Sequence, residues 1–307
     1  MSYLSSETGR TLEAARRNYA GFPNVCGISF GSKYSGGRRL DGISAVQFFV
    51  THKVPPTELS RQLPRYVFQR GADGTPQRDQ QIPTDVIELA NLKLCCCSGD
   101  GIGNEMGVKG SVTIIFSDPV APPRTLLITC SHVAGDLSGR DRLFDLSGGT
   151  DPCFFEATTV AFTRLEAGML TYDVAVAEVT GIGDFHPLAV RGLNQVFTRF
   201  ADAEDLAPHR KLDCQSRVSG RRSLSLESHA TELRGIQTGE FGEIAVSNIF
   251  ACRGVAIEGD SGGIVFAGDC AVGIIVASAD DNWVFIHLLK DAIAHLEAVS
   301  GIPLRVF

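Results

Sequence analysis

No stretch of this 307-residue sequence approaches the roughly 18 consecutive apolar residues of a membrane-crossing helix, so no membrane span is expected. The opening MSYLSSETGRTLEAARRNYAGF lacks an apolar run behind a basic start, and no secretory signal is expected from it. A basic excess is also missing. Against 35 Asp+Glu stand 28 Lys+Arg, a net charge of −7, which argues against nucleic acid or an anionic membrane as partner. Lysine, methionine and tryptophan are scarce at 6, 3 and 1, and 22 arginines carry most of the positive charge, from which no function is read. The Cys95-Cys96-Cys97 run has no second Cys-x-x-Cys or His-x-His with which to build a zinc site, so no metal and no cofactor is expected.

What is present reads as a folded globular protein long enough to bury a substantial core. Hydrophobic residues make up 44% and charged residues 21%. Glycine is abundant at 33 residues, which points to many turns. The nine cysteines are odd in number, so at least one has no intrachain partner. A reduced, cytoplasmic home is expected, with most thiols acting as small buried apolar groups.

Along the chain, residues 5–20 predict a helix, capped by Ser5 or Ser6 and carrying Leu12, Ala15 and Tyr19 on one face. Residues 25–30 and 43–50 read as strands around a Gly36-Gly37 turn. Residues 53–83, rich in Pro, Gln, Arg and Gly, read as a long connection, and 84–89 as one more strand. Residues 1–92 are thus expected to form a small α/β region, and residues 93–307 a second domain. From residue 112 onward, short strands recur with turn residues between them and almost no helix, a texture of barrels or sandwiches. Residues 288–299 close the chain with apolar positions at helical spacing, stopped by Gly301 and Pro303.

Three stretches carry chemistry. Thr129-Cys130-Ser131-His132 delivers a histidine at a strand end. Tyr172-Asp173-Val174-Ala175-Val176 puts an aspartate at the mouth of an alternating strand. Glu258-Gly259-Asp260-Ser261-Gly262-Gly263 holds a serine in a glycine-lined turn before an apolar strand. Singly, each is an ordinary turn or strand end. Together they supply a base, a group to orient it, and a nucleophile. A serine hydroxyl attacks poorly until a base takes its proton, and histidine has the pKa for that task. A carboxylate then fixes the imidazole tautomer.

These motifs resemble the trypsin-like (chymotrypsin-fold) serine proteases over roughly residues 95–290, most specifically at Gly259-Asp260-Ser261-Gly262-Gly263. Within that family the sequence looks closest to intracellular bacterial and plant members with a small N-terminal region, on Pro83-Thr84-Asp85-Val86. The resemblance implies a mostly β protein: a chymotrypsin-like double β-barrel followed by a C-terminal helix. The cleft between the barrels would hold His132, Asp173 and Ser261. It implies an oxyanion hole made by the backbone N–H groups of Gly259 and Ser261, and an acyl-enzyme mechanism on a protein or peptide substrate.

Departures from the family matter too. Val133 follows the histidine where secreted animal members carry a disulfide cysteine. No Ile-Val-Gly-Gly is present to supply a new N-terminus for Asp260, which leaves an internal arginine, local backbone, or a partner that orders the oxyanion loop. The family's position map puts Val255 at the base of the specificity pocket and Val276, Ala277 and Ser278 on its wall. With no acid at the base, an apolar or small side chain is expected before the scissile bond, unless Asp280 or Asp281 reaches in.

Two rivals stand beside this reading. Gly259-x-Ser261-x-Gly263 also fits the nucleophile elbow of α/β-hydrolases, but that fold needs Ser, Asp and His in that order, with a helix after the serine. A catalytically silent protease-fold scaffold is the other. Residues 1–92 read as a brace, an inhibitory segment or a docking site for a regulatory partner; the Arg16-Arg17 and Arg38-Arg39 pairs read as a solvated face or a contact for that partner.

Overall fold

The structure, a computed structural model, describes residues 6–22, 24–36, 38–55, 61–89, 93–94, 101–104, 107–118, 124–135, 142–145, 156–166, 169–180, 188, 196–207, 209–216, 218–238, 242–280 and 282–307. Of the turn residues expected between the strands, Asp136, Gly139, Gly148, Gly149, Gly181 and Gly183 lie outside this set, as do Gly37, Asp281 and the cysteines at 95–97 and 153.

The chain is mostly β, as expected, with two curled sheets and a C-terminal helix. The first sheet has seven strands, and the Arg124–Thr129 strand lies between Ile114–Asp118 and Ala175–Val179. The second, of 13 strands, contains the long Gly220–Thr238 and Gly242–Arg253 strands and the sequence of hairpins Ile264–Ala267, Cys270–Ala279 and Trp283–Leu288. Near-continuous apolar runs in these last strands match their burial on both faces. The terminal helix, Leu289–Ser300, buries Leu289, Ala292, Ile293 and Leu296 against the first sheet's core and ends at Gly301 with φ 69°. Among the described residues, no helix is long and apolar enough to cross a membrane.

The N-terminal residues continue the second sheet. The helix Ser6–Tyr19 lays Leu12 and Ala15 on Ile28, Val46 and Phe48. Strands Val25–Ser35 and Arg38–Val50 form a hairpin whose first strand pairs with Gly220–Thr238, Gly27 facing Leu233. The connection expected over residues 53–83 instead carries an edge hairpin, Tyr66–Arg70 with Pro76–Glu88. Its prolines hid it. Pairing with Arg38–Val50 begins only at Thr84, one residue past Pro83, so the missing N–H interrupts no bond on that side.

Phe49 ties this extension down. It is fully buried, edge-on to Trp283 at 5.6 Å and to Phe285 at 6.1 Å between ring centroids. Phe49→Ala is expected to cost about 3–5 kcal/mol of folding stability. Denaturant unfolding measures this, and a cost below about 1 kcal/mol would mean the contact contributes little.

Candidate active site

Two antiparallel strands bring the base and its orienter together. Thr129, the last residue of Arg124–Thr129, faces Ala175, the first of Ala175–Val179. Residues just beyond one strand and just ahead of the other therefore share one end of the ladder. There the chain makes the helical turn Ser131–Ala134, which buries His132. The His132 ring Nδ1 and the Asp173 carboxylate lie 2.5 Å apart, and the backbone N–H of His132 donates to the same carboxylate at 3.1 Å. The Ser131 hydroxyl donates to the Val174 carbonyl and accepts from the Thr163 N–H, pinning the turn to the aspartate's segment.

Asp173 is wholly buried, which works to raise its carboxyl pKa. The neighbouring His132 charge and its two hydrogen bonds outweigh burial and hold the carboxyl below the ordinary carboxylate range. Behind it, the Asp173 backbone N–H donates to His287 Nε2 at 2.9 Å, so that His287 carries its proton on Nδ1. Burial, only partly opposed by Asp173, lowers the His287 pKa to about 4 and keeps the ring neutral. Sequence reasoning missed this residue. The unbroken burial of Trp283–Leu288 is the signal that could have found it.

The serine turn approaches from the second sheet. Gly262 N–H donates to the Ile275 carbonyl at 2.7 Å, and the Cys130 thiol donates to the same oxygen at 3.4 Å. Thr113 Oγ1 of the first sheet donates to the Gly262 carbonyl at 2.7 Å. His287 faces Ile274 across the neighbouring strand pair. All three candidate residues are thus anchored around residues 274–276. The Ser261 hydroxyl donates to the Val276 carbonyl at 3.2 Å. Gly262 has φ 85°, and a Cβ there would fall 2.4 Å from the Ser111 carbonyl oxygen, so only glycine fits.

Within the turn, the N–H groups of Asp260 and Gly263 close local bonds to Ile257 and Asp260 carbonyls. Those of Gly259 and Ser261 make no backbone bond among the described residues. Gly259 holds φ 110°, a conformation that costs a side-chain-bearing residue dearly. Asp260 is buried. Its carboxylate accepts from the Ser219 hydroxyl at 2.5 Å and from the Ser219 and Ile257 N–H groups at 3.2 and 3.0 Å. Of the options left open by the sequence, local backbone, joined by the Ser219 hydroxyl, is what the structure supplies.

Val255 is exposed in the loop ahead of the turn, Val276 and Ala277 are buried, and Ser278 is half-buried. Cys130, His132 and Asp173 are one group whose donor atoms lie within 4.8 Å of one another. Its nitrogen and carboxylate oxygen are spent on each other and its thiol on Ile275. Cys26, Cys130, Cys214, Cys252 and Cys270 are buried and form no disulfide among the described residues, and burial pushes the Cys26 and Cys214 thiols up to about 12.

His229, away from the site, is also held neutral, its pKa lowered to about 4 by burial, and its ring nitrogens have no partner among the described residues. An unfolded histidine titrates near 6.5, so below that pH the unfolded chain takes up protons that the native ring refuses. Stability is therefore expected to hold above about pH 7 and to be lost as pH falls from 6.5 toward 4. His229→Phe, which keeps the edge contact with Phe250, should reduce that loss by about 3 kcal/mol. Unfolding midpoints measured across this range check it, and equal losses in both proteins would contradict it.

No family model and no curated protein matches the sequence. Among solved structures, the chain is similar to a glutamic acid specific serine protease that uses a histidine triad in substrate binding (TM-score 0.46, 19% identity, covering 64% of this chain and 95% of that one). It is similar to Thermobifida fusca protease A (TM-score 0.47, 16% identity, 64% and 93%). It is also similar to the chymotrypsin of Cellulomonas bogoriensis (TM-score 0.45, 15% identity, 68% and 98%).

Proposed function

We propose that the chain is a serine endopeptidase in which Ser261 is the nucleophile, His132 the general base and acid, and Asp173 the group that orients the imidazole. The observation that carries this is the buried His132–Asp173 pair, anchored with the Ser261 turn on the same three residues of one strand. Ser261 Oγ leaves the Val276 carbonyl and gives its proton to His132 as it attacks a substrate carbonyl. The imidazolium, stabilised by Asp173, returns the proton to the leaving amine. Water then releases the acyl group by the same exchange. Gly259 and Ser261 N–H groups, free of other backbone bonds among the described residues, receive the oxyanion, each worth roughly 3–4 kcal/mol in the transition state. The three bonds to Asp260 support an oxyanion loop that the chain orders by itself.

The substrate is a protein or peptide, and Val255, Val276, Ala277 and Ser278, none of them charged, support a small or apolar side chain before the cut. Residues 1–92 act as a brace through Phe49. Five buried thiols outside any disulfide among the described residues support a reducing, cytoplasmic setting. A fluorophosphonate probe tests the core of this reading. It should label Ser261 of the wild type on prolonged incubation and leave Ser261→Ala unlabelled. Label retained in Ser261→Ala would overturn it. Cleavage of a peptide library reads the pocket, and a preference for Lys or Arg would refute the apolar assignment.

A further inference from the structure

Asp173 falls in sequence between Glu156–Phe162 and Ala175–Val179, two strands of the first sheet, yet the residues from Leu170 to Asp173 are fastened to the second sheet, which also carries the Ser261 turn. Leu170–Thr171 runs parallel to Gly242–Arg253, with Leu170 facing Ala245 and Thr171 facing Val246. The Ser247 hydroxyl donates to the Thr171 carbonyl at 3.4 Å. The Asn248 side-chain N–H donates to the Tyr172 hydroxyl oxygen at 2.5 Å. His287 accepts the Asp173 N–H at 2.9 Å. Thr171, Tyr172 and Asp173 are thus bonded to the second sheet one after another. The strands that hold them adjoin, because Ile249, next to Asn248, faces His287.

Rings pack this clamp. The buried Tyr172 ring lies 4.8 Å between centroids from His287 and 4.7 Å from His295, which stands on the terminal helix and stacks on it at 29°. His287 is the one polar residue of Trp283–Leu288, and it has no exposed surface. An apolar side chain would bury there without desolvating two ring nitrogens. What the histidine adds is an acceptor aimed at the backbone N–H of Asp173. That N–H matters because the reacting groups come from two sheets. The first sheet sets His132 against Asp173, and the second sets Ser261. A clamp from the second sheet onto the aspartate fixes the offset between them.

We infer that His287 is a positioning residue of the site: with Tyr172, Asn248 and His295 behind it, it holds Asp173, and through Asp173 the His132 ring, at the distance from the second sheet that proton transfer from Ser261 needs. The inference rests on the roles proposed above for Ser261, His132 and Asp173. His287 acts through the aspartate and not on the substrate. Without its acceptor, the buried Asp173 N–H has no partner and the segment settles elsewhere. The carboxylate moves with the backbone, and the imidazole follows its Nδ1 bond. Substrate still binds, but the base no longer lines up with the serine hydroxyl, so kcat falls while KM holds. The terminal helix, through His295, becomes part of the catalytic apparatus.

Two substitutions in the full chain, read by two methods, test this. His287→Leu fills the space without an acceptor and should lower kcat for an activated ester about 10²-fold with KM unchanged, the cost of a misplacement of roughly 1 Å. His287→Gln puts an amide oxygen where Nε2 stood and should keep kcat within about threefold of the wild type. The second method is proton NMR of the low-field resonance of the proton between His132 Nδ1 and Asp173, which requires no turnover. It should shift and exchange faster in His287→Leu and stay in place in His287→Gln. If the leucine variant fails to fold by circular dichroism, His287→Asn replaces it. Its amide is one carbon short of the Asp173 N–H and should reproduce the loss that His287→Gln avoids. A leucine or asparagine variant with wild-type kcat and an unmoved resonance overturns the inference, as does a glutamine variant that falls as far as the leucine one. The two methods separate this failure from failure of the proposed function. A wild type that hydrolyses nothing and takes no probe removes the nucleophile, and the resonance alone then decides whether His287 holds the aspartate.

Discussion

Replacing Ser261 by Ala is expected to lower peptide hydrolysis by roughly a million-fold, which leaves only the modest acceleration that an oxyanion hole and substrate binding give without a nucleophile. The size of the effect follows from the geometry. Ser261 is anchored from both sheets, through Gly262 N–H on Ile275 and Thr113 on the Gly262 carbonyl, so no neighbouring hydroxyl can take its place. The change removes one oxygen and one hydrogen bond, to the Val276 carbonyl, so folding should be nearly untouched. Single-turnover assays with an activated ester measure the loss. A residual rate within tenfold of the wild type would mean that the chemistry lies elsewhere.

Asp173→Asn should cost on the order of 10⁴ in kcat with little change in KM. The carboxylate accepts two N–H donors from His132, one from the ring and one from the backbone. An asparagine has one acceptor oxygen and one NH₂. Whichever way the amide turns, one His132 donor meets another donor. If the oxygen takes the backbone N–H, the ring must turn an unprotonated Nδ1 toward the NH₂ and place its proton on Nε2, where it cannot accept from Ser261. Asp173 acts through the imidazole it holds rather than on the substrate, which is why KM should hold. The backbone N–H on His287 survives the change and keeps the segment in place. A loss in kcat below tenfold, in a variant with unchanged unfolding midpoint, would contradict the orienting role.

The site was legible where its chemistry is local. Gly259-Asp260-Ser261-Gly262-Gly263 needs its glycines for reasons the backbone displays: φ 110° at Gly259 and a carbonyl against Gly262. His132 and Asp173 stood out because one follows an apolar strand and the other precedes an alternating one, and the two strands prove to be neighbours in register. The strand rhythm after residue 112 gave the class of fold for the same reason. What stayed hidden depends on contacts between distant segments. Lys93–Leu94 is a strand only because an open edge receives it, and nothing in two residues announces that. His287 supports Asp173 across 114 residues of sequence. The Tyr66–Arg70 and Pro76–Glu88 hairpin was masked by prolines that an edge position tolerates. Ser219, holding Asp260 from 41 residues away, belongs to the same group.

The central claim is that Ser261 is a working nucleophile, and one measurement addresses it most directly: tryptic mapping of the fluorophosphonate adduct on folded wild type, with Ser261→Ala as control. The account predicts one adduct, on Ser261, in the wild type and none in the control. An adduct on any other residue, or none in the folded wild type, would contradict it.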